Sequence, residues 1–311
     1  MCMKTLKGRV ALVAASARGA GRGIACMLGE AGATVYCTAR SASALEETAE
    51  MVTVRGGKGI AVRVDHTDAA AVERLFKRIE GEEGKLDILV NNVNGDALYE
   101  WKPFWKVAPE LNLEILKSAV YSHLLNVHFA VPLMKEKSLI VEITDGDGFY
   151  YRGNIHYDLT KTNAIRLAMI FATELRKKKI AAVAITPGFL RSEAVLASLH
   201  VTEENWRDAV KRRPEFAESE TPFFVGKAIA ALAADPNVLK KSGRVFNSFE
   251  LAQEYGFTDV DGRMPRIWEW LASSPFRYKK IDDNFYSYFN MNYDRLDKEV
   301  RKLRKEIEGV S

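Results

Sequence analysis

Short runs of β-branched and small apolar residues alternate with longer helical patterns along most of the chain, and this alternation leaves few folds open. "RVALVAA" precedes a helical pattern from about Ala20, "ATVYCTA" one around Leu45 to Val54, and "GIAVRVD" one around Ala69 to Ile79. The series continues with "LDILVNN", a long helical region from about Glu110 to Met134, "SLIVEIT", a helix carrying Tyr157, and "IAAVAITPG". Such continuously apolar runs read as strands buried on both faces. The expected fold is therefore a doubly wound α/β domain, a parallel sheet with helices on either side.

From Phe189 to about Glu220 no strand pattern occurs, and Pro214 and Pro222 interrupt the chain. A helical cap at about 189–222, lying over the strand ends with a ligand pocket beneath it, is the expected arrangement. A helix from Phe224 to Ala233 and a last strand in "SGRVFN" follow, then the turn "DVDGR" and an aromatic-rich tail containing "FYSYFNMNY". The tail ends in "LDKEVRKLRKEIEG", a charged pattern that reads as a solvated helix. The expected division is one domain over 1–260, cap included, and a C-terminal extension over 261–311.

Composition narrows the class further. Of the 311 residues, 47% are hydrophobic and 28% charged, which suits a globular protein rather than a disordered one. The net charge of +4 comes from Lys and Arg interspersed with Asp and Glu, so no nucleic-acid partner is expected. No apolar stretch approaches the ~18–20 residues of a membrane span, and the apolar start reads as a buried first strand rather than a signal peptide. The three cysteines, Cys2, Cys26 and Cys37, have neither metal-ligand nor disulfide-framework spacing. A reducing, cytoplasmic location follows as the expectation. The five histidines are scattered, with His123 and His128 lacking the i, i+4 spacing of a helical metal pair, and no metal site is expected.

Between the first strand and the first helix lies "ALVAASARGAGRGIA". Backbone N–H groups at a helix N-terminus can hold a pyrophosphate, which makes Ser16, Arg18, Gly19, Ala20 and Gly21 candidates for a dinucleotide cofactor. Ala15 stands where a first glycine is expected. The second strand ends in "TAR", the place for a carboxylate that would bond a ribose 2′-hydroxyl. Ala39 offers none, whereas Arg40 follows it and Arg18 lies in the turn. Two guanidiniums suit a doubly charged 2′-phosphate, so NADP(H) is expected over NAD(H).

These features, with Asp65 after the third strand, "NNVNG" from Asn91, "YDLTK" and "PGFLRS" from Pro187, occur in an order that resembles the short-chain dehydrogenase/reductase family over roughly residues 7 to 255. The region "DPNVLKKSGRVFNSFELAQEYGFTDVDGR" is similar to one animal and bacterial subgroup of it. The resemblance implies a Rossmann-type fold and oxidoreductase activity on a small-molecule carbonyl or alcohol. It further implies Asp65 near the adenine, Asn91 near the adenosine ribose, and Pro187, Gly188 and Ser192 near the nicotinamide. Tyr157 is implied as proton donor and Lys161 as holder of the nicotinamide ribose. Family members commonly pair through the fourth and fifth helices, which implies a homodimer or homotetramer.

Tyr157 and Lys161 stand at i and i+4, on one face of a helix, where the ammonium favours the phenolate and brings a tyrosine of ordinary pKa near ~10 toward neutral pH. The residue that orients the substrate carbonyl is Thr144 by spacing from Tyr157 and Asp145 by strand alignment. Thr144 supplies a hydroxyl. Asp145 acts protonated in an apolar pocket, turns away and leaves Thr144 to act, faces a cationic substrate such as an iminium or amino-ketone, or only stabilises the "DGDG" loop. The asparagine of the family's proton relay aligns with Ala119, leaving water or His123 to complete the route. Two other readings follow from these departures: a dinucleotide-binding regulator without turnover, and a nicotinamide-dependent isomerase, dehydratase or imine reductase.

Overall fold

The computed structural model describes residues 5–95, 99–148 and 150–273. Among them seven parallel strands form one sheet: β1 (Val10–Ala14), β2 (Thr34–Ala39), β3 (Lys58–Arg63), β4 (Ile88–Asn91), β5 (Leu139–Ile143), β6 (Ala181–Thr186) and β7 (Val245–Asn247). Their spatial order is β3-β2-β1-β4-β5-β6-β7. Helices α1 (Gly19–Glu30), α2 (Ser43–Val54) and α3 (Ala69–Glu83) follow the first three strands. After β4 come α4 (Pro109–Leu116) and α5 (Ser122–Ala130), after β5 comes α6 (Ile155–Glu174), and after β6 come α7 (Glu193–Ser198) and α8 (Pro222–Ala234). Beyond β7 lie α9 (Ser248–Tyr255) and α10 (Ile267–Ser273).

Because successive side chains on a strand point to opposite faces, each strand serves two cores. Ala11 and Val13 of β1 join Ile24 and Leu28 of α1 and Val225 and Ile229 of α8 on one face. Val10 and Leu12 join Leu75 and Ile79 of α3, Val127 of α5 and Phe171 of α6 on the other. Helices α1 and α8 meet at glycines: a Cβ on Gly23 would stand 1.9 Å from the carbonyl oxygen of Pro222, and one on Gly226 2.5 Å from that of Gly23. The chain leaves β1 for β2 on one side and returns to β4 on the other, so the crevice at the carboxyl ends of β1 and β4 is the switch point where such sheets hold ligands.

The start of α6 is set by Asn154, whose side-chain oxygen accepts from the amides of His156 and Tyr157, both at 3.0 Å. This N-cap satisfies two orphan amides and places Tyr157 on the first turn. The long helical region expected from Glu110 to Met134 is helical, with a π turn over Lys117–Tyr121 between α4 and α5. The buried Ala119 lies within that turn. The last strand is shorter than "SGRVFN", because Ser242 and Gly243, the latter at φ 85°, form the turn that follows the 3₁₀ turn Val238–Lys241 and the strand begins only at Val245; at its other end the Asn247 side chain accepts from Glu250 N at 2.9 Å to open α9, a helix that periodicity alone did not indicate.

The cap at 189–222 consists of α7 and two 3₁₀ turns, Trp206–Lys211 and Pro214–Glu218, over a small core of Val201, Trp206, Ala209 and Phe216. A single parallel bridge, Leu190 to Glu220, ties its two ends. Arg191 lies at its centre with a fully buried side chain that donates to Glu203 at 2.9 Å, Ser219 O at 2.9 Å and Asp261 at 3.0 Å while its guanidinium lies 4.4 Å from the Trp206 ring centroid. The segments "FYSYFNMNY" and "LDKEVRKLRKEIEG" lie outside the described residues, as does Cys2. No helix among the described residues is long and apolar enough to cross a membrane.

Candidate active site

The carboxyl ends of β1 to β6 and the underside of the cap enclose a cleft of about 1620 Å³. At one end lies the turn between β1 and α1. Ala15 adopts φ 59° there, the left-handed region that favours glycine, and Asn92 Nδ2 donates to its carbonyl at 3.0 Å. The N–H of Gly19, at the first position of α1, donates to Glu193 Oε2 at 2.9 Å. A carboxylate thus occupies the place where a helix N-terminus holds a phosphate oxygen, and the turn fits the pyrophosphate of a dinucleotide. Arg18 and Arg40 are exposed on the rim of the cleft, and no other described side chain holds either guanidinium. Asp65 also lines the cleft; partial burial works against its charge, but the Thr67 amide and hydroxyl on Oδ1, with Arg40 nearby, hold its carboxyl below the ordinary value.

At the other end Tyr157 Oη donates to Asp145 Oδ2 at 2.7 Å, and the Lys161 ammonium lies 5.4 Å from the centre of the Tyr157 ring. Lys161 is 8% exposed. Thr144 and Asp145, adjacent in sequence, are oriented differently. The Thr144 hydroxyl donates to the carbonyl oxygen of Lys161 at 2.7 Å and pins the end of β5 to α6, whereas Asp145 presents its carboxylate to Tyr157. Pro187, Gly188 and Ser192 follow β6 along the wall of the cleft. Gly188 N donates to Glu220 Oε2 at 2.8 Å, and Ser248 Oγ donates to the same oxygen at 2.5 Å. Burial pushes the Glu220 carboxyl up to about 8.

Arg18, Gly19, Ala20, Arg40, Asp65, Tyr157, Lys161, Pro187, Gly188 and Ser192 are brought to this one cleft, together with Thr144 and Asp145. Ser16, Gly21 and Asn91 are not part of its lining. Ser16 is fully buried, its hydroxyl accepting from Thr38 N at 2.9 Å to join the ends of β1 and β2. Gly21 lies beneath the turn, where a Cβ would stand 2.2 Å from the carbonyl oxygen of Ala15. Asn91 is fully buried too, donating to Glu142 Oε1 at 2.7 Å and accepting from Asn126 Nδ2 at 2.9 Å; Asn92, Val93 and Asn94 face the cleft in its stead.

Behind the cleft runs a buried polar chain that motif reading did not find. His123 Nδ1 meets Glu142 Oε2 at 2.5 Å and its Nε2 meets the Val93 carbonyl at 2.9 Å. From Glu142 the chain passes through Asn91 and Asn126 to His66 Nδ1, at 2.8 Å from Asn126, and on to Thr38 at 2.7 Å from His66 Nε2. A carbonyl and a carboxylate both only accept, so with Glu142 ionised His123 must carry protons on both nitrogens. Burial opposes that charge, but the Glu142 carboxylate outweighs it and raises the His123 pKa. His66 is the opposite case: burial drives its pKa down to about 4, and it stays neutral. The sequence signal was Glu142 itself, one charge inside the apolar run "LIVEIT". Arg152 was also missed; its buried guanidinium donates to Asp145 O at 2.5 Å, Asp158 Oδ1 at 2.8 Å and Gly148 O at 3.2 Å, which shapes the loop after Asp145.

Residues 14–239 match the family model described as Enoyl-(Acyl carrier protein) reductase. The chain is 36% identical over 267 residues to the mouse protein named Dehydrogenase/reductase SDR family member 1, covering 83% of this chain and 85% of that one, and 34% identical to its human counterpart over the same shares. It is 28% identical to 7alpha-hydroxysteroid dehydrogenase of Clostridium sardiniense, covering 75% of this chain and 89% of the relative. Among solved structures, a short-chain dehydrogenase/reductase from Serratia marcescens superposes with a TM-score of 0.67 at 25% identity, over 78% of this chain and 97% of that one. One from Mycobacterium thermoresistibile reaches 0.70 at 21% identity, over 82% and 90%, and shows the shared fold.

Proposed function

The chain belongs to the short-chain dehydrogenase/reductase family, and on that premise we propose that it is an NADP(H)-dependent oxidoreductase of carbonyl and alcohol groups with Tyr157 as its acid and base. The family binds a nicotinamide dinucleotide and transfers hydride; when bound, the nicotinamide supplies or accepts that hydride. The observation that carries the finer reading is the placement of Tyr157 Oη, 2.7 Å from Asp145, with the buried Lys161 ammonium against the same ring. Tyr157 gives a proton to the substrate oxygen in reduction and withdraws it in oxidation. Lys161 stabilises the phenolate, and Asp145 holds the phenol proton until substrate oxygen takes its place. The Thr144 hydroxyl, spent on Lys161 O, positions the helix rather than the substrate.

Arg18 and Arg40 at the rim, with Ala39 in place of a carboxylate, support the choice of NADP(H). Asp65, Pro187, Gly188 and Ser192 would line the same cofactor. The named hydroxysteroid dehydrogenase relative supports an alcohol or ketone as the reacting group. Leu113, Leu116, Tyr121 and Leu124 on the α4–α5 run and Leu159 on α6 expose apolar side chains, which supports pairing of two copies through this face. A cytoplasmic enzyme with a domain over 1–260 and an extension over 261–311 completes the proposal.

The test is fluorescence titration with NADPH and NADH, followed by NADPH oxidation with a panel of ketones and quinones. Wild type is expected to bind NADPH more tightly than NADH and to turn over at least one carbonyl, with Tyr157→Phe retaining binding and losing about a hundredfold or more in rate. Tight binding without turnover on any compound would favour a cofactor-binding regulator, and a preference for NADH would remove the roles of Arg18 and Arg40. Light scattering of the same preparation reads the dimer directly.

A further inference from the structure

Beyond Tyr157 the cleft opens into a chamber of about 590 Å³. Its wall is formed by the rings of Tyr99, Trp101, Tyr150, Tyr157 and Phe189 with the carboxylate of Asp145 set among them, and by Arg152 and Arg213, which lie over the Tyr150 and Phe189 rings and leave those of Tyr99, Trp101 and Tyr157 to a ligand. Tyr99 meets the Tyr157 ring edge-on at 5.2 Å between centroids, and Trp101 meets it at 5.9 Å, so the rings form a connected surface. One Asp145 oxygen accepts from Tyr157, while the other, Oδ1, has no hydrogen-bond partner among the described residues.

The nearby cations do not neutralise this carboxylate. Arg152 is 2% exposed in its side chain and is consumed by Asp158 and by the carbonyls of Asp145 and Gly148. Arg213 is paired with Glu215 at 2.5 Å. Lys161 lies over the Tyr157 ring, on the side of the residues that line the dinucleotide cleft. A neutral ketone gains nothing from an ionised carboxylate, which has no hydrogen to donate to its oxygen. A cationic nitrogen gains twice, from the carboxylate and from the faces of the rings.

We propose that this chamber binds substrates bearing a cationic nitrogen, an iminium or the ammonium of an amino-ketone or amino-alcohol, with the charge between Asp145 and the rings of Trp101, Tyr99 and Tyr157. The inference takes the space beside Tyr157 as the substrate site and so rests on the reading above. Its occupant is recognised by charge and by aromatic faces.

Calorimetric titration of the full chain, with and without NADPH, would compare para-hydroxyphenyltrimethylammonium with para-tert-butylphenol, a pair of the same shape that differs in charge. The cation is expected to bind at least about tenfold more tightly, the equivalent of ~1.4 kcal/mol. Asp145→Asn should abolish most of that ratio, and Trp101→Leu should reduce it about threefold; thermal melts establish that each variant is folded. Equal affinities in wild type, or a ratio unchanged in both folded variants, would overturn the proposal. A charge preference that holds while no compound oxidises NADPH would sustain this site and sink the redox reading. Turnover of neutral ketones with a ratio near one would do the reverse.

Discussion

Ala15 shows how a single side chain can be held where its backbone is unfavourable. Its φ of 59° places a Cβ in a conformation that costs an L-residue roughly 1–2 kcal/mol, and the surroundings enforce it: Asn92 holds its carbonyl and Gly21 leaves no room for the turn to move. Ala15→Gly should relieve the strain while adding entropy to the unfolded chain. A net gain of roughly 0.5–1 kcal/mol in urea unfolding is the expected outcome. A loss in stability would mean that the turn is not strained. At the same scale, the i, i+4 spacing of Tyr157 and Lys161 put both on one helix face and the family resemblance implied their roles, whereas the choice between Thr144 and Asp145 was not legible. Consecutive residues leaving a strand point in different directions, and one residue of alignment error exchanges them.

At the scale of elements, the cap depends on one cation. Arg191 joins Glu203, Ser219 and Asp261, which come from three places in the chain, and Arg263 also lies against the Trp206 ring at 4.7 Å while donating to Ser219 O at 2.8 Å. Arg191→Ala should cost about 2–3 kcal/mol, because Trp206 loses a packed face and the buried Ser219 carbonyl loses one of its donors, whereas Glu203 and Asp261, 48% and 29% exposed in their side chains, can turn to water. Urea unfolding followed by tryptophan fluorescence reads both. A change under about 1 kcal/mol would show that the cap is held by its apolar cluster alone. The sequence "PGFLRS" marked this segment, but a fully buried arginine has no local signature; its partners lie 12, 28 and 70 residues away.

Considered as a whole, the molecule carries buried ionisable groups whose titrations oppose one another. Glu220 is protonated more readily folded, at about 8, than its ordinary value of 4.5, so the folded state holds the extra proton between those values and stability falls as pH rises through that window. His66, depressed to about 4 from 6.5, contributes stability above pH 6.5 that is lost as pH falls toward 4. From pH 6.5 to 8 Glu220 titrates in the folded protein while His66 is neutral in both states. The difference in unfolding free energy between Glu220→Gln and wild type should therefore grow in favour of the variant over that range, by at most about 1.4 kcal/mol per pH unit. Chemical denaturation at several pH values would test it, and a flat difference would place the Glu220 pKa back near 4.5.

What could be read from local pattern was the part of the molecule whose physics is local. Strand length, the alternation with helices, the N-terminal turn of α1 and the one-face spacing of Tyr157 and Lys161 each follow from neighbours a few residues apart. Packing decided the rest. Ser16 and Asn91 turned away from the cleft because buried Thr38 and Glu142 needed hydrogen-bond partners, and an unsatisfied group there would cost more than a lost ligand contact. The chain from His123 to Thr38 draws on α5, β5, β4, β2 and the loop after β3, and the aromatic chamber around Asp145 on segments as far apart as Tyr99 and Phe189. Such groups meet only when the sheet order brings distant strand ends together, which no periodicity in the chain encodes.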